Sequence, residues 1–272
     1  MSPPASPTER PHHKIWPKRL PRSLVVPQTS LWFNLEVAAA RYPDKPAFVF
    51  FGQALTYARL KTQAEALAGW LQAQGVGAGD RVALYLQNCP QFIVALYAVF
   101  RANAVAVPVN PMNRADEFEH YIVDPDTKVV ICAADLAGFV ATADAAVPAD
   151  KRLQRVLVVR YADALPEPGA ALDPALALPP AIEQWLRAEP TLPEGFVRWH
   201  DALDAGLAPG PHRAQPGDLA LLPYTSGTTA LPKGCMHTHR TLMSNVVGGQ
   251  WGWSSAESVA LAVVPMFHIT GM

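Results

Sequence analysis

The sequence predicts an α/β protein in which layered, mainly parallel sheets are covered by helices. Short runs such as residues 81–86 and 105–109 are apolar throughout, which is typical of strands buried on both faces of a sheet. Helical stretches separate these runs, and strands that alternate with helices are expected to pair in parallel. The composition agrees, because 50% of the 272 residues are hydrophobic and 17% are charged, as in a globular protein that buries a large core.

The first 27 residues predict an extended, proline-rich arm that precedes a domain over residues 28–272. The arm lacks the apolar segment of a signal peptide. Its basic residues are Arg10, Lys14, Lys18, Arg19 and Arg22. One interpretation is a disordered tail. The other, which we favour, is a strap that lies on the domain through Ile15, Trp16 and Leu20, because a free tail gains little from an exposed tryptophan.

Helix boundaries in the first half of the domain are predicted from capping residues, glycine and proline. Ser30 and Thr56 are the expected N-caps of the first two helices, because their hydroxyls accept an otherwise unpaired backbone N–H. Gly75 ends the second helix, and Pro90 suits the start of the third. The elements expected in order are helix 30–42, strand 47–51, the helix after Thr56, strand 81–86, helix 90–101, strand 105–109, helix 114–123, strand 129–133 and strand 155–159.

The second half of the domain opens with a segment rich in proline and alanine. It predicts a surface insertion over about residues 162–198 that carries one short helix at 182–188. A buried strand is expected at 218–222. Thr238 is the expected N-cap of a helix over 240–247.

The last predicted element is a buried strand over residues 259–264. It would bring His268 to the end of a central strand, where open α/β sheets bind ligands. The alternative for His268 is a packed histidine with one satisfied ring nitrogen.

Charge and cysteine content exclude several classes of function. The net charge of −1 and the isoelectric point near 6.7 do not suit a protein whose main partner is nucleic acid. Cys89, Cys132 and Cys235 are far apart and odd in number, which predicts buried or incidental thiols in a reducing cytosol rather than disulfides or a metal site. The longest apolar stretch, 92–109, contains Arg101 and is therefore no membrane span.

A loop rich in hydroxyls follows the strand at 218–222, which Pro223 ends. The four hydroxyls of Thr225, Ser226, Thr228 and Thr229 surround Gly227, and Lys233 and Gly234 follow. Backbone N–H groups and hydroxyls at such a loop bind phosphate oxygens, while a lysine offsets their charge. The loop therefore predicts a polyphosphate site. An ordinary surface loop is the alternative, and a Walker loop is excluded because no hydroxyl follows the lysine to hold magnesium.

The run from Tyr224 to Gly234, Tyr-Thr-Ser-Gly-Thr-Thr-Ala-Leu-Pro-Lys-Gly, resembles the signature loop of the AMP-forming adenylate-forming enzymes. That superfamily contains acyl-CoA synthetases, luciferases and peptide-synthetase adenylation domains. Ala230 departs from the pattern, which usually has glycine there, and alanine would cost about 1–2 kcal/mol if the position needs a positive φ. The later run Pro-x-Phe-His-x-x-Gly at 265–271 is similar to the next motif of the same superfamily.

Further motifs look like the medium- to long-chain fatty acyl-CoA synthetase branch. They are Trp16-Pro17-Lys18, Asn34-Leu35-Glu36, Arg41-Tyr42-Pro43-Asp44-Lys45, Gly79-Asp80-Arg81-Val82, Arg101-Ala102-Asn103-Ala104 and Val107-Pro108-Val109-Asn110-Pro111-Met112-Asn113. The resemblance implies a two-step reaction. A carboxylate attacks the α-phosphate of Mg·ATP to give an acyl-adenylate and pyrophosphate, and the thiol of coenzyme A then displaces AMP.

The resemblance also implies which residues would bind these substrates. The expected triphosphate contacts are Thr225, Ser226, Gly227, Thr228, Thr229, Ala230, Lys233 and Gly234, with Thr225 also near Mg²⁺ through the phosphates. The acyl and adenylate pocket is expected at His268, Phe267 and Gly271. His237 and His239 are expected to be structural. The implied partners are a fatty acid, ATP and coenzyme A. The implied location is the cytoplasm, and peripheral contact with the inner membrane surface is an open alternative.

The sequence stops at Met272, within the second motif. The sequence does not contain the elements that the superfamily places later, including the small C-terminal domain with the adenylation lysine. We therefore expect no turnover by this chain alone. We also expect apolar surface to be exposed along the strands from 219 and 259. Three rival hypotheses remain. They are a non-catalytic module that binds nucleotide or a partner, a membrane-surface protein that uses the basic arm, and a ligase for aryl or short-chain acids.

Overall fold

The computed structural model describes residues 11–18, 20–167, 178–225, 231–249 and 255–271. They form the mixed α/β fold that the sequence predicts. The strands are β1 (Pro46–Phe50), β2 (Gln53–Thr56), β3 (Arg81–Tyr85), β4 (Val105–Pro108), β5 (Thr127–Ala133), β6 (Arg155–Val159), β7 (Val197–Arg198), β8 (Leu219–Leu221), β9 (Tyr224–Thr225), β10 (Lys233–Gly234) and β11 (His237–Thr238). The helices are α1 (Trp32–Arg41), α2 (Tyr57–Ala73), α3 (Pro90–Arg101), α4 (Ala115–Val123), α5 (Ala137–Ala146), α6 (Pro180–Arg187), α7 (Trp199–Asp204) and α8 (His239–Gly249).

Seven strands form the central sheet in the order β11-β8-β4-β3-β5-β6-β7. All neighbours in this sheet are parallel except β11 and β8. The connection from β3 to β4 runs one way across the sheet, and the connection from β4 to β5 runs back past β3. Because such crossovers are right-handed, α3 and α4 cover opposite faces of the sheet.

The core lies on both faces of this sheet, as the apolar strands predict. Val82, Val107, Val129 and Leu157 lie on four different strands and have no exposed surface. Helices cover each face, and strands buried in this way cannot carry an alternating polar face. The two buried cysteines belong to this core, and burial raises the pKa of the Cys89 thiol to about 12.

Two of the predicted helix starts are confirmed and a third is wrong. Thr56 accepts the N–H of Arg59 through its hydroxyl at 3.3 Å, and Pro90 is the first residue of α3. Ser30 was expected to cap α1, but the N-cap residue is Leu31. The hydroxyl of Ser30 lies 2.6 Å from Nε2 of His212 instead, so this long-range contact replaces the local cap.

The strand predicted over 259–264 is wrong. The segment forms no ladder with any described strand, and Val259 and Leu261 are 96% and 86% exposed. Asn88 holds the segment instead, because its side-chain amide donates to the carbonyls of Ala262 and Val264 at 3.0 and 2.9 Å. An apolar run becomes a strand only where a neighbouring strand offers hydrogen-bonding partners. His268 therefore does not follow a central strand.

Apolar surface was expected to be exposed along the strands from 219 and 259. This is wrong for the strand at 219, because β8 pairs with β4 and β11 and its Ala220 and Leu221 are buried, whereas the apolar residues from 259 are exposed. The insertion predicted over 162–198 overlaps the sheet, since β7 pairs in parallel with β6. The helix expected within it is confirmed as α6, whose Trp185 ring lies 6.4 Å from the ring of Tyr161.

Within the N-terminal arm, a tryptophan side chain is hydrogen-bonded to the backbone of the same segment. The indole of Trp16 donates to the carbonyl oxygens of Leu20 and Pro21, both at 3.2 Å. Ile15 is 87% exposed, which contradicts the prediction that it anchors the arm to the domain. Among the described residues, Val26 is the first that packs against the hydrophobic core. No helix in the described ranges has the length and apolarity needed to cross a membrane.

Candidate functional site

A two-stranded hairpin carries the predicted phosphate contacts. β9 and β10 pair antiparallel, with Thr225 opposite Lys233 and Tyr224 opposite Gly234. Directly opposed residues share one face of a ladder, so the side chains of Thr225 and Lys233 start from the same face. The hydroxyl of Thr225 lies 3.8 Å from Sγ of Cys235. Both residues are exposed. We call this feature, β9 with β10, the phosphate hairpin.

The residues between the two strands lie partly outside the described ranges. Ser226, Gly227, Thr228, Thr229 and Ala230, all predicted phosphate contacts, belong to that part. The structure therefore brings together Thr225, Lys233 and Gly234 of the predicted set.

Gly234 is needed in the phosphate hairpin because of close packing. A Cβ atom there would lie 3.0 Å from Cγ of Leu222 and 3.2 Å from Cζ of Tyr224, closer than nearly all Cβ contacts. A larger residue would push the Tyr224 ring away from β10. The glycine therefore fixes the distance between the two strands of the phosphate hairpin.

Helix α4 supports the phosphate hairpin through its last turn. The Tyr224 hydroxyl donates to Oδ2 of Asp124 at 2.5 Å, and Nε2 of His120 lies 2.7 Å from the carbonyl oxygen of Pro232. The ring of Tyr224 also packs against Tyr121, with 4.8 Å between the ring centroids. Burial first and the Asp124 hydrogen bond second raise the pKa of Tyr224, so the hydroxyl stays a neutral donor.

The chain leaves the phosphate hairpin through β11 and α8. Thr238 caps α8 as predicted, because its hydroxyl accepts the N–H of Thr241 at 3.2 Å. His239 is buried, and its Nδ1 accepts the backbone N–H of Leu31 at 3.2 Å. Burial, followed by the nearby His212, lowers the pKa of His239 to about 4, so the ring is neutral. These contacts give His239 the structural role that the sequence predicts.

The second group of predicted site residues lies in 265–271. Met266 is buried and donates its N–H to Oδ1 of Asn88 at 2.7 Å, while Phe267 packs partly against the core. His268 is exposed, and its Nδ1 accepts the N–H of Thr270 at 3.2 Å. A side chain at Gly271 would collide with the Pro265 carbonyl, so this position requires glycine for packing.

A cavity of about 240 Å³ lies elsewhere, between β2, α2 and the start of α3. Its walls include Arg59, Gln91, and His200 and Asp163, whose Nε2 and Oδ2 atoms lie 3.3 Å apart. Burial raises the pKa of the Asp163 carboxyl. None of the lining residues belongs to the phosphate hairpin or to 265–271. The cavity is therefore separate from both groups of predicted site residues.

The donor groups of the phosphate hairpin suit an anion. A hydroxyl and an ammonium group both donate hydrogen bonds, and the ammonium group also offsets negative charge. In the described part of the chain, no group of three or more His, Cys, Asp and Glu side chains is placed to hold a metal ion. Thr225 remains the predicted contact to Mg²⁺ through bound phosphates.

Sequence reasoning missed the supporting residues of α4. His120 and Asp124 lie about a hundred positions before the phosphate hairpin, so no local spacing connects them to it. The one available signal was Tyr224, a half-buried aromatic residue whose hydroxyl needs a hydrogen-bonding partner.

The chain is similar in sequence to known proteins over nearly its whole length. A family model described as AMP-binding enzyme matches residues 35–272. A long-chain-fatty-acid–CoA ligase of Bacillus subtilis is 30% identical over 274 residues, covering 97% of this chain and 47% of that protein. One of Escherichia coli is 32% identical over 270 residues, covering 94% and 46%.

The solved structures show the same fold. The structure of a long-chain-fatty-acid–CoA ligase from Archaeoglobus fulgidus aligns with a TM-score of 0.69 at 23% identity, covering 92% of this chain and 45% of that one. This likeness concerns the fold alone. The chain spans about half the length of the curated relatives that it matches.

Proposed function

The chain belongs to the AMP-binding enzyme family, and on that premise we propose that it carries the triphosphate-binding part of an AMP-forming acyl-CoA ligase. The observation that supports this most is the pairing of Thr225 with Lys233 on the phosphate hairpin. Two exposed residues with donor side chains, one of them charged, are thereby placed opposite each other in a short ladder. The loop that joins them supplies the remaining proposed contacts, Ser226, Gly227, Thr228, Thr229 and Ala230.

The proposed reaction takes place in two steps. A carboxylate oxygen attacks the α-phosphorus of ATP, the bond to the bridging oxygen breaks, and pyrophosphate leaves. The thiolate of coenzyme A then attacks the acyl carbon and AMP leaves. Negative charge develops on phosphate oxygens in the first step, and Mg²⁺ bound to the phosphates would neutralise part of it.

The chain's own contribution is to hold the phosphates. Lys233 and the hydroxyl of Thr225 would donate to phosphate oxygens, and donors fixed before the reaction stabilise the charge that develops. The hairpin ladder fixes the backbones of Thr225 and Lys233 relative to each other. Binding of the triphosphate is the part of the reaction that we assign to this chain itself.

The proposed acid is a medium- or long-chain fatty acid. The names of the relatives in Bacillus subtilis and Escherichia coli support this choice. His268, Phe267 and Gly271 remain the proposed contacts to the acyl group and the adenylate. We also propose a cytoplasmic location, where the exposed basic residues Lys14 and Lys18 of the arm would reach the inner membrane surface.

Titration calorimetry of the 272-residue chain with Mg·ATP tests the proposal. Lys233→Ala should weaken binding roughly ten- to a hundredfold, because a hydrogen bond to a charged group contributes about 1.5–3 kcal/mol. Lys61→Ala is the matched control, since Lys61 pairs with Glu65 on α2 and should leave the affinity unchanged. Equal affinity in wild type and Lys233→Ala would contradict the proposed site.

A further inference from the structure

Two side chains at the C-terminal end of α4 reach the phosphate hairpin, His120 from its last turn and Asp124 from the C-cap position. Asp124 accepts from Tyr224, the residue directly before Thr225, and His120 contacts the carbonyl of Pro232, the residue directly before Lys233. Both contacts are therefore one residue away from a proposed phosphate donor. The side chains of His120 and Asp124 point to the same side, because positions four apart lie on one face of a helix.

The direction of the His120 hydrogen bond follows from its partner. A carbonyl oxygen only accepts, so Nε2 of His120 carries the hydrogen in this contact. The ring also lies edge-on to Tyr224, with 5.5 Å between the ring centroids. His120 thus contacts Tyr224 in β9 and the residue directly before β10, and its donor could be replaced by the amide of a glutamine.

The phosphate hairpin depends on such neighbours for its position. Each of its strands has only two residues, and a two-stranded hairpin is at best marginally stable alone in water. The Gly234 backbone packs against the Tyr224 ring, so a shift of that ring displaces β10 as well. The ring is held in turn by Asp124 and by its packing on Tyr121.

We propose that His120 and the Tyr224–Asp124 pair are positioning residues, which clamp the phosphate hairpin to α4 and so hold Lys233 and Thr225 in place for a triphosphate. This inference rests on the proposed function for its ligand, and goes beyond it by assigning roles to three residues that are not among the proposed phosphate contacts. None of the three side chains needs to contact the nucleotide. They act through the backbone of Pro232 and through the ring of Tyr224.

The test compares four variants of the 272-residue chain. His120→Leu removes the donor and keeps an apolar side chain, whereas His120→Gln keeps a donor. Tyr224→Phe removes only the hydroxyl. Asp116→Asn is the control, because Asp116 is exposed in the first turn of α4, away from the hairpin contacts.

Two readouts are measured on each variant, together with the thermal midpoint. One is the dissociation constant for Mg·ATP. The other is the rate at which trypsin cleaves after Lys233, followed by mass spectrometry of the resulting peptides. This second rate reports how often the hairpin opens, because a protease cleaves the opened form.

The clamp predicts that His120→Leu and Tyr224→Phe each raise the dissociation constant about three- to tenfold and the cleavage rate by a similar factor, the effect of one lost hydrogen bond. His120→Gln should stay within about twofold of wild type in both readouts, by the same reasoning. Asp116→Asn should match wild type. This pattern, with thermal midpoints unchanged, would support the clamp.

The other outcomes separate the two proposals. If wild type binds no Mg·ATP but His120→Leu is still cleaved faster after Lys233 and His120→Gln is not, the clamp stands and the proposed phosphate function fails. If wild type binds Mg·ATP while His120→Leu and Tyr224→Phe change neither readout, the clamp is overturned. It is also overturned if His120→Gln behaves like His120→Leu and both lower the thermal midpoint, which would show a general packing role.

Discussion

Strand β4 and the segment 259–264 have closely similar sequences and opposite structures. β4 reads Val-Ala-Val-Pro and is completely buried, whereas 259–264 reads Val-Ala-Leu-Ala-Val-Val and exposes most of its large side chains. β4 has a parallel neighbour on each side, β3 and β8. The later segment has no ladder partner in the described residues and is tied to the core through the side chain of Asn88. Apolar composition therefore gives only a tendency to form a strand, and the neighbours decide the outcome.

The largest expected difference between the two regions concerns the loss of a leucine side chain. Leu84→Ala in β3, the neighbour of β4, should lower the free energy of unfolding by about 2–5 kcal/mol, because Leu84 has no exposed surface and its removal leaves a cavity. Leu261→Ala should change it by less than about 0.5 kcal/mol, since the side chain is already in water. Urea denaturation measures both values. Similar losses in the two variants would mean that 259–264 is packed after all.

A smaller change in the free energy of unfolding should appear when the pH is lowered. It arises at His239, in the helix that follows the phosphate hairpin. The pKa of buried His239 is about 4, below the usual value of 6.5, so the unfolded chain takes up the proton first as the pH falls. The contribution of neutral His239 to the free energy of unfolding is fully present above about pH 6.5. It is lost as the pH falls from there to about pH 4, and about 2 kcal/mol of it is lost at pH 5.

His239→Asn is the matched variant for this measurement. Its side-chain oxygen can still accept the N–H of Leu31, but it does not titrate. Urea denaturation at pH 7.5 and pH 5 should show a loss in wild type that exceeds the loss in the variant by about 2 kcal/mol. Equal losses would show that His239 does not carry this pH dependence.

The smallest expected effect concerns the tie between 259–264 and the core. Asn88→Ala removes the hydrogen bonds to Ala262, Val264 and Met266. The free energy of unfolding should fall by about 1 kcal/mol or less, because the segment is exposed and contributes little. Chymotrypsin should however cleave after Leu261 faster than in wild type. The neighbouring exposed Gln87 provides the control variant, Gln87→Ala, which should be cleaved at the wild-type rate.

The parts of the fold that the sequence predicted well are those with local signals. Strands β3 to β6 are apolar on both faces, and helices α2 and α3 have a threonine cap and an opening proline. Helix α5 was missed because its Ala-rich sequence shows no clear polar and apolar faces. The segment 259–264 was wrongly assigned because its strand tendency requires a partner that local sequence does not show.

The candidate site also has residues that local sequence indicates and residues that it does not. Thr225, Lys233 and Gly234 were predicted from a contiguous loop, because a phosphate site needs donors and a close backbone approach within a few residues. His120 and Asp124 could not be predicted, since their contacts to Pro232 and Tyr224 join positions about a hundred residues apart. Only the folded chain brings α4 beside the phosphate hairpin.

The most direct test of the account is a crystal structure of the 272-residue chain grown with Mg·ATP. We expect triphosphate density within hydrogen-bonding distance of the Thr225 hydroxyl and the Lys233 ammonium group, with His120 still hydrogen-bonded to the Pro232 carbonyl. Ordered nucleotide at another surface, such as the cavity lined by Gln91 and His200, would contradict the central claim that the phosphate hairpin is the nucleotide site.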